Sequence, residues 1–446
     1  MIRAPRDRWQ GVKVFLGLYE VAGYYTRLRE GFAELGIECC QVDLTDHPFK
    51  YDEEKPQRLA KWLRAAFRRR EATPRRQVFS KILWIALQTA LLIYTILKYD
   101  VFVFAANSQF WRFLHLPIIR WLGKKIVYVS HGTDARPLYM SHKGVGMSPC
   151  DIVRRTRDQK EVSRGIERYA DAIVDLRTVS QFREGPLIDF LRVGLPQGKS
   201  VQSLEDSPPR IRAGIRVLHS PSLPKAKGTA LIRDAIQRLE AKGYEIEFVE
   251  VIGQPHAVVR QELKKCDFVV DQLYSDTPMA GFAAEAAAFG KPAIVGGYAG
   301  ALTRDTVASG SLPPSHYCLP EEVESAIERL IVDATYRVEL GRRAKDFVDS
   351  NWTSRNVAER YVRIARGDVP ADWLYDPRKV CYVYGAGISK DQARALIRSV
   401  IEIGGKESLQ VSDKPLLEKQ LVEFAFRDAA MEDGLDAGNS VDRAAV

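Results

Sequence analysis

Residues 267–297, DFVVDQLYSDTPMAGFAAEAAAFGKPAIVGG, read as a strand, a polar loop, a helix and a second strand. Phe268 to Asp271 has the apolar, β-branched character of a buried strand, and Ala293 to Val295, closed by Gly296 and Gly297, is its successor. The helix between them starts at Gly281. A glycine there lets a ligand approach the unpaired N–H groups of the first turn, where the helix dipole also favours an anion. Glu285, one turn further in, can accept hydrogen bonds from a neutral polyol such as a ribose. Phosphate at the glycine and sugar at the carboxylate is how a nucleoside diphosphate would be held. An ordinary strand–helix–strand unit with a polar loop fits the same letters, so the rest of the chain has to decide.

Working outward, the alternation continues in both directions. Strands are expected at 12–16, 38–43, 101–104, 126–129 and in DAIVDL (171–176), with helices at 26–35, near 110–122 and at 151–168. Between Gly194 and Gly214 the pattern lapses into a Pro-, Gly- and Ser-rich stretch, which reads as a linker. A second set comes after it: strand 215–218, helix 229–242, strand 246–252, helix 256–265 and the opening unit. Helices fill 321–366, and VCYVYG (380–385) reads as a further strand before helices 390–403 and 415–430. This predicts an N-terminal Rossmann-like domain over 1–195, a linker over 196–214 and a second such domain over 215–350. A crossover helix and α/β extension then cover 351–430, and the tail 431–446 is expected to be disordered.

In open parallel sheets, ligands bind beyond the carboxyl ends of the strands, and the polar clusters fall there. Strand 12–16 opens onto Glu20 to Gly23, strand 126–129 onto His131-Gly-Thr-Asp134, strand 215–218 onto His219 to Ser222, and Asp271-Gln272 onto the loop before Gly281. Lys227-Gly228 adds a cation at a helix start, where it can neutralise a diphosphate; an ordinary surface lysine is the alternative. Two such domains facing each other would bring these clusters to one cleft.

At 446 residues the chain is too long for one core, and 46% hydrophobic with 28% charged residues places it among globular proteins. The six cysteines (39, 40, 150, 266, 318 and 381) form no CxxC and have no histidines at zinc spacing, which points to a reducing compartment. The first fifteen residues show no apolar core followed by a cleavage site, so a cytoplasmic location is expected. Much of the net charge of +9 comes from Arg58 to Arg76, eight basic residues against Glu71. Leu59, Trp62, Leu63, Ala66 and Phe67 line one helical face of that run. Residues 82–97, ILWIALQTALLIYTIL, are uncharged but shorter than the roughly 20 residues a spanning helix needs. Residues 58–97 therefore read either as domain helices feeding the next strand or as a peripheral docking element for an anionic membrane surface. Nucleic acid is not expected as a partner, because Trp62 and Phe67 lie on the apolar face and not beside the arginines as a stacking platform.

KGT before a helix, then CDFVVDQL, then GFAAEAAAFGKPAI together resemble the retaining glycosyltransferases of the GT-B fold, a family that uses nucleotide-sugar donors. AEAAAFGKP is similar to that family's EAMAxGxPV signature, and HGTDAR to the HGSD-type loop of its acceptor-side domain. LGLYEVAGYYTRLREGFAELGIE resembles its glycine loop and first helix, and NWTSRNVAERY the helix that crosses back. The resemblance implies an α/β GT-B fold, two doubly wound Rossmann-like domains facing an interdomain cleft, and transfer of a sugar from a nucleoside-diphosphate sugar to a hydroxyl acceptor. It implies that Gly281 and Phe282 offer N–H groups to the diphosphate, that Glu285 binds the ribose and that Lys227, beside Gly228, meets the phosphates. Gly23 with Ala22 would let the donor approach the first domain, and His219 and Gln272 would line the donor side. His131 would meet the transferred sugar, and Asp134 would orient the loop or the acceptor. No cofactor and no metal is expected.

Two positions depart from the family pattern: Thr277 stands where a second Glu is common, and Ser222 where an arginine is, with Lys225 and Arg304 as alternative sources of charge. They motivate the alternative of a catalytically silent nucleotide-sugar-binding or scaffold subunit. A dinucleotide oxidoreductase is disfavoured, because Gly17 and Gly23 are too far apart for GxGxxG and Gly385-Ala-Gly387 lacks the third glycine.

Overall fold

The computed structural model describes residues 11–44, 74–105, 110, 114–132, 135–198, 214–299 and 312–427. The linker stretch 199–213, most of the basic run 58–76, Asp134, Arg304 and the tail 431–446 lie outside them.

Strands β1 (Lys13–Leu18), β2 (Glu38–Asp43), β3 (Val101–Ala105), β4 (Lys125–Val129), β5 (Ala172–Asp175) and β6 (Leu187–Asp189) are parallel neighbours in one sheet. Strands β7 (Ile215–His219), β8 (Ile246–Glu250), β9 (Phe268–Gln272), β10 (Ala293–Gly296) and β11 (His316–Cys318) form a second parallel sheet, ordered β11-β10-β9-β7-β8. The two-residue β12 (Leu374–Tyr375) pairs antiparallel with β6, which completes the order β12-β6-β5-β4-β3-β1-β2. Continuous apolar runs such as VFVFA in β3 are buried throughout, because helices cover both faces of the sheet.

Alternation along the strands sends their side chains into separate cores. Leu16, Val103 and Val127 face the Tyr24–Glu34 and Ser354–Arg366 helices, in a core that runs on into the second domain through Leu218, Ala284 and Val295. Phe15, Phe102, Phe104 and Tyr128 face the opposite side, where Leu91 and Leu92 pack. The latter pair belongs to the Pro74–Lys98 helix, the one helix among the described residues long and apolar enough, by length and composition, to cross a membrane. It buries one face against the sheet and leaves Ile82, Ile85, Ile93 and Leu97 exposed, then feeds β3.

Gln197, near the end of the first domain, is bonded to the chain's second crossing between the sheets, at Trp352–Ser354. Gln197 N–H donates to Trp352 O (2.8 Å) and Ser354 N–H to Gln197 O (3.0 Å). Gly194 lies against the buried Trp352 indole, where a Cβ would come within 2.2 Å of the ring, and its φ of +92° also excludes side chains. After the second crossing the chain stays on the first sheet. The Lys390–Gly404 and Pro415–Phe426 helices share a core with Tyr139, Met140, Ile152, Val380 and Tyr382. The segment VCYVYG is therefore not the expected strand. Its residues Val380, Tyr382 and Val383 fill this core, while bonds to distant segments (Ala386 N–H to Met140 O, Gln181 Nε2 to Tyr382 O) replace a ladder. The small strands β6, β11 and β12 are too short to show a period and were not anticipated from sequence.

Candidate functional site

The helix starts of the two domains meet across the cleft and differ in one respect. At the Tyr24–Glu34 helix, the Glu20 carboxylate accepts from the N–H groups of Val21 (2.7 Å), Tyr25 (3.3 Å) and Thr26 (3.0 Å), and Tyr24 N–H is taken by Val21 O. This start is capped by the protein's own anion, which would repel a second one. The Gly281–Ala288 helix is preceded by Ala280, whose side chain cannot cap, and its first N–H groups have no intrahelical acceptor. A Cβ placed on Gly281 would lie 3.9 Å from the Ala22 methyl group, so the glycine loop of the first domain faces the open helix start of the second. Ala22 (φ 50°) and Gly23 (φ 79°) form a left-handed bend that brings that loop up to it.

Glu285 is buried on this helix, and its Oε1 accepts from Arg27 Nη2 of the first domain and from His256 Nε2 (2.8 Å). Burial disfavours the charge, but the Arg27 guanidinium and the His256 bond outweigh it and hold the carboxyl at about 2. Glu285 is thus an ionised acceptor already engaged across the cleft.

Lys227 Nζ lies 3.3 Å from Asp271 Oδ1 and also donates to Gln272 Oε1, while Gln272 Nε2 donates to Ser275 Oγ (2.6 Å). Gly228, in the left-handed region, packs so closely on Leu273 that a Cβ would sit 2.9 Å from it. Asp271 is buried and its second oxygen has no hydrogen-bond partner among the described residues, so Lys227 is its main compensation.

Thr277 is held within its own loop, where its N–H donates to Ser275 Oγ (3.2 Å) and its carbonyl accepts from the same hydroxyl (2.7 Å). The residue of that loop that reaches the first domain is Asp276. It forms a buried pair with Arg136 (Nε to Oδ2 2.9 Å), and its carbonyl accepts from Thr178 Oγ1 (2.7 Å). His131, past the end of β4, is partly exposed, lies 3.3 Å from Tyr25 Oη and stands edge-on to the Tyr24 and Tyr25 rings.

His219 is the sequence-derived donor residue that the structure removes from the cleft surface. It is fully buried, its Nδ1 donates to Val270 O (2.8 Å) and its Nε2 accepts from Thr229 Oγ1 (2.8 Å), leaving no ring atom for a ligand. Burial lowers its pKa to about 4, so the ring is neutral. Four residues at the cleft were not anticipated: Arg27, Arg136, His256 and Asp276. Arg136 stood in the quoted HGTDAR without a role, and Arg27 comes about one helical turn after the Gly23 bend.

No protein-family profile and no curated protein matches the sequence. Among solved structures the chain is similar to HepE of Anabaena, crystallised with UDP and glucose, at 14% identity and a TM-score of 0.48 over 80% of this chain and 99% of that one. It is similar to the trehalose-6-phosphate synthase OtsA at 12% identity and a TM-score of 0.49, over 80% and 100% of the respective chains. TarM of S. aureus, crystallised with UDP, is similar at 8% identity and 0.49, over 79% and 99%. These are likenesses of chain course. Two parallel sheets with a cleft between them, spanned by a helix that returns to the first, give this chain a GT-B fold.

Proposed function

We propose that the chain is a glycosyltransferase that moves a sugar from a nucleoside-diphosphate sugar to a hydroxyl acceptor with retention of configuration. The observation that carries this reading is the uncapped helix start at Gly281, one turn from the buried carboxylate of Glu285 and facing the Ala22-Gly23 bend. In this reading the diphosphate lies on the N–H groups of Gly281 and Phe282, with Lys227 turning from Asp271 to meet its charge, and the ribose hydroxyls bond to Glu285. The leaving diphosphate is stabilised by dipole and cation as the anomeric bond breaks, and His131 faces the electron-poor sugar. The acceptor oxygen then attacks from the face the diphosphate has left. A thermal-shift screen against UDP-, GDP-, dTDP- and ADP-sugars tests donor binding, because a ligand of the native state raises the Tm. Glu285→Ala should weaken the nucleotide by about 1–3 kcal/mol through a lost buried contact; unchanged affinity would overturn the assignment.

One observation favours a second reading, a catalytically silent nucleotide-sugar-binding subunit: Thr277, whose backbone is bonded within its own loop, brings the sugar no carboxylate. Binding without turnover across the donor panel would select it.

Residues 58–97 bear on place. The exposed Ile82, Ile85, Ile93 and Leu97, with Trp121 and Ile118 on the next helix, would form the apolar side of a peripheral contact with the cytoplasmic face of a membrane. The basic run Arg58 to Arg76 would supply attraction to anionic lipid. Co-sedimentation with anionic liposomes should occur at low salt and fade as salt rises; absence of binding at low salt would sink this placement.

A further inference from the structure

A solvent-open cavity lies where three parts of the chain meet. Leu176, Arg177, Asp189 and Leu191 line it from the end of β6 and the turns after β5 and β6. Asp276 and Pro278 come from the loop ahead of the Gly281 helix. Tyr375, Lys379 and Tyr382 come from the segment that adds β12 to the sheet edge. A wall shared with the donor loop sets the cavity's place. Pro278 precedes Gly281 by three residues, which is about 10 Å of chain at most.

The charges inside are already spent on one another. Arg177 Nε donates to Asp189 Oδ2 (2.6 Å), and its guanidinium lies over the Tyr375 ring at 5.1 Å. Asp276 is paired with Arg136, and the Thr178 hydroxyl is taken up by Asp276 O. The remaining lining is apolar or aromatic, apart from Lys379, which is exposed and has no ion-pair partner among the described residues. A ligand suited to these walls has a flat apolar body for Leu191, Pro278 and Tyr375 and an anionic group for Lys379.

We propose that this cavity is the acceptor site and that the acceptor is a small anionic aromatic alcohol, held by a pocket that the C-terminal segment 374–382 completes. The proposal rests on the glycosyltransferase reading above. In the transfer, the acceptor oxygen forms the new bond to the anomeric carbon. The bond from that carbon to the diphosphate oxygen breaks with its electron pair going to the diphosphate, which also receives the acceptor's proton.

The test uses the full chain and 4-hydroxybenzoate, followed by saturation-transfer NMR and titration. Wild type should bind it. Leu191→Trp, which fills the cavity, should abolish binding, and the surface change Lys379→Glu should weaken it at least tenfold in a protein whose circular dichroism is unaltered. Failure of wild type to bind, or wild-type affinity in folded Lys379→Glu, would overturn the proposal, as would equal affinity for phenol. UDP titration of wild type is read separately: loss of that binding alone refutes the donor assignment, while the 4-hydroxybenzoate result still reports on the cavity.

Discussion

Glu285 joins the two domains through a single carboxylate, and this has a pH signature. Its folded pKa of about 2 lies below the ordinary 4.5, so the pair's contribution is complete above pH 4.5 and is lost as pH falls towards 2. Glu285→Gln should flatten the acid limb of the stability curve, removing about 3 kcal/mol of its pH dependence across that window. Chemical denaturation at several pH values checks this, and an acid limb identical to wild type would refute it. The carboxylate itself was legible in the sequence because it comes one helical turn after Gly281. Its partners were not. His256 comes from a neighbouring helix of the same domain and Arg27 from the other domain, and pairing between domains depends on their mutual orientation, which no local pattern encodes. His219 shows the converse. Its place after a strand marks a site, but the side chain points into the sheet, where Val270 O and Thr229 Oγ1 use both nitrogens.

Among the elements, the informative contrast is between a helix start filled by Glu20 and one left open at Gly281. Gly281 has an ordinary φ, and a Cβ there meets nothing closer than Ala22 at 3.9 Å. Gly281→Ala should therefore fold normally and gain up to about 1 kcal/mol from helix propensity, yet bind a nucleoside diphosphate more weakly because the methyl group enters the gap between the loops. Thermal unfolding and UDP titration read the two effects separately, and undiminished UDP affinity would move the diphosphate elsewhere. Most elements were readable from period and punctuation: the Gly281–Ala288 helix starts at the residue expected, and β9 ends one residue beyond Asp271. VCYVYG misled because a short apolar, β-branched and aromatic run reports burial, and a segment laid across helices satisfies that without a neighbouring strand.

For the whole molecule, the paired sheets were legible from repeated alternation, whereas the buried Arg136–Asp276 contact across the cleft was not. With Arg27–Glu285 it forms two clamps on one opening. Arg27→Ala combined with Arg136→Ala should widen the molecule without nucleotide, seen as a larger radius of gyration in small-angle scattering. A radius equal to wild type would show that the clamps do not set the gap.

The bonds that hold Gln197 on Trp352 and Ser354 give this opening its mechanics. A free tether would let the domains twist and tilt about any axis. A crossing stitched by hydrogen bonds, with Gly194 pressed on the Trp352 indole, acts like the pin of a door. Such a pin favours one rotation, so any opening of the cleft would return the wall bearing Gly281 and the wall bearing Ala22 to the same register.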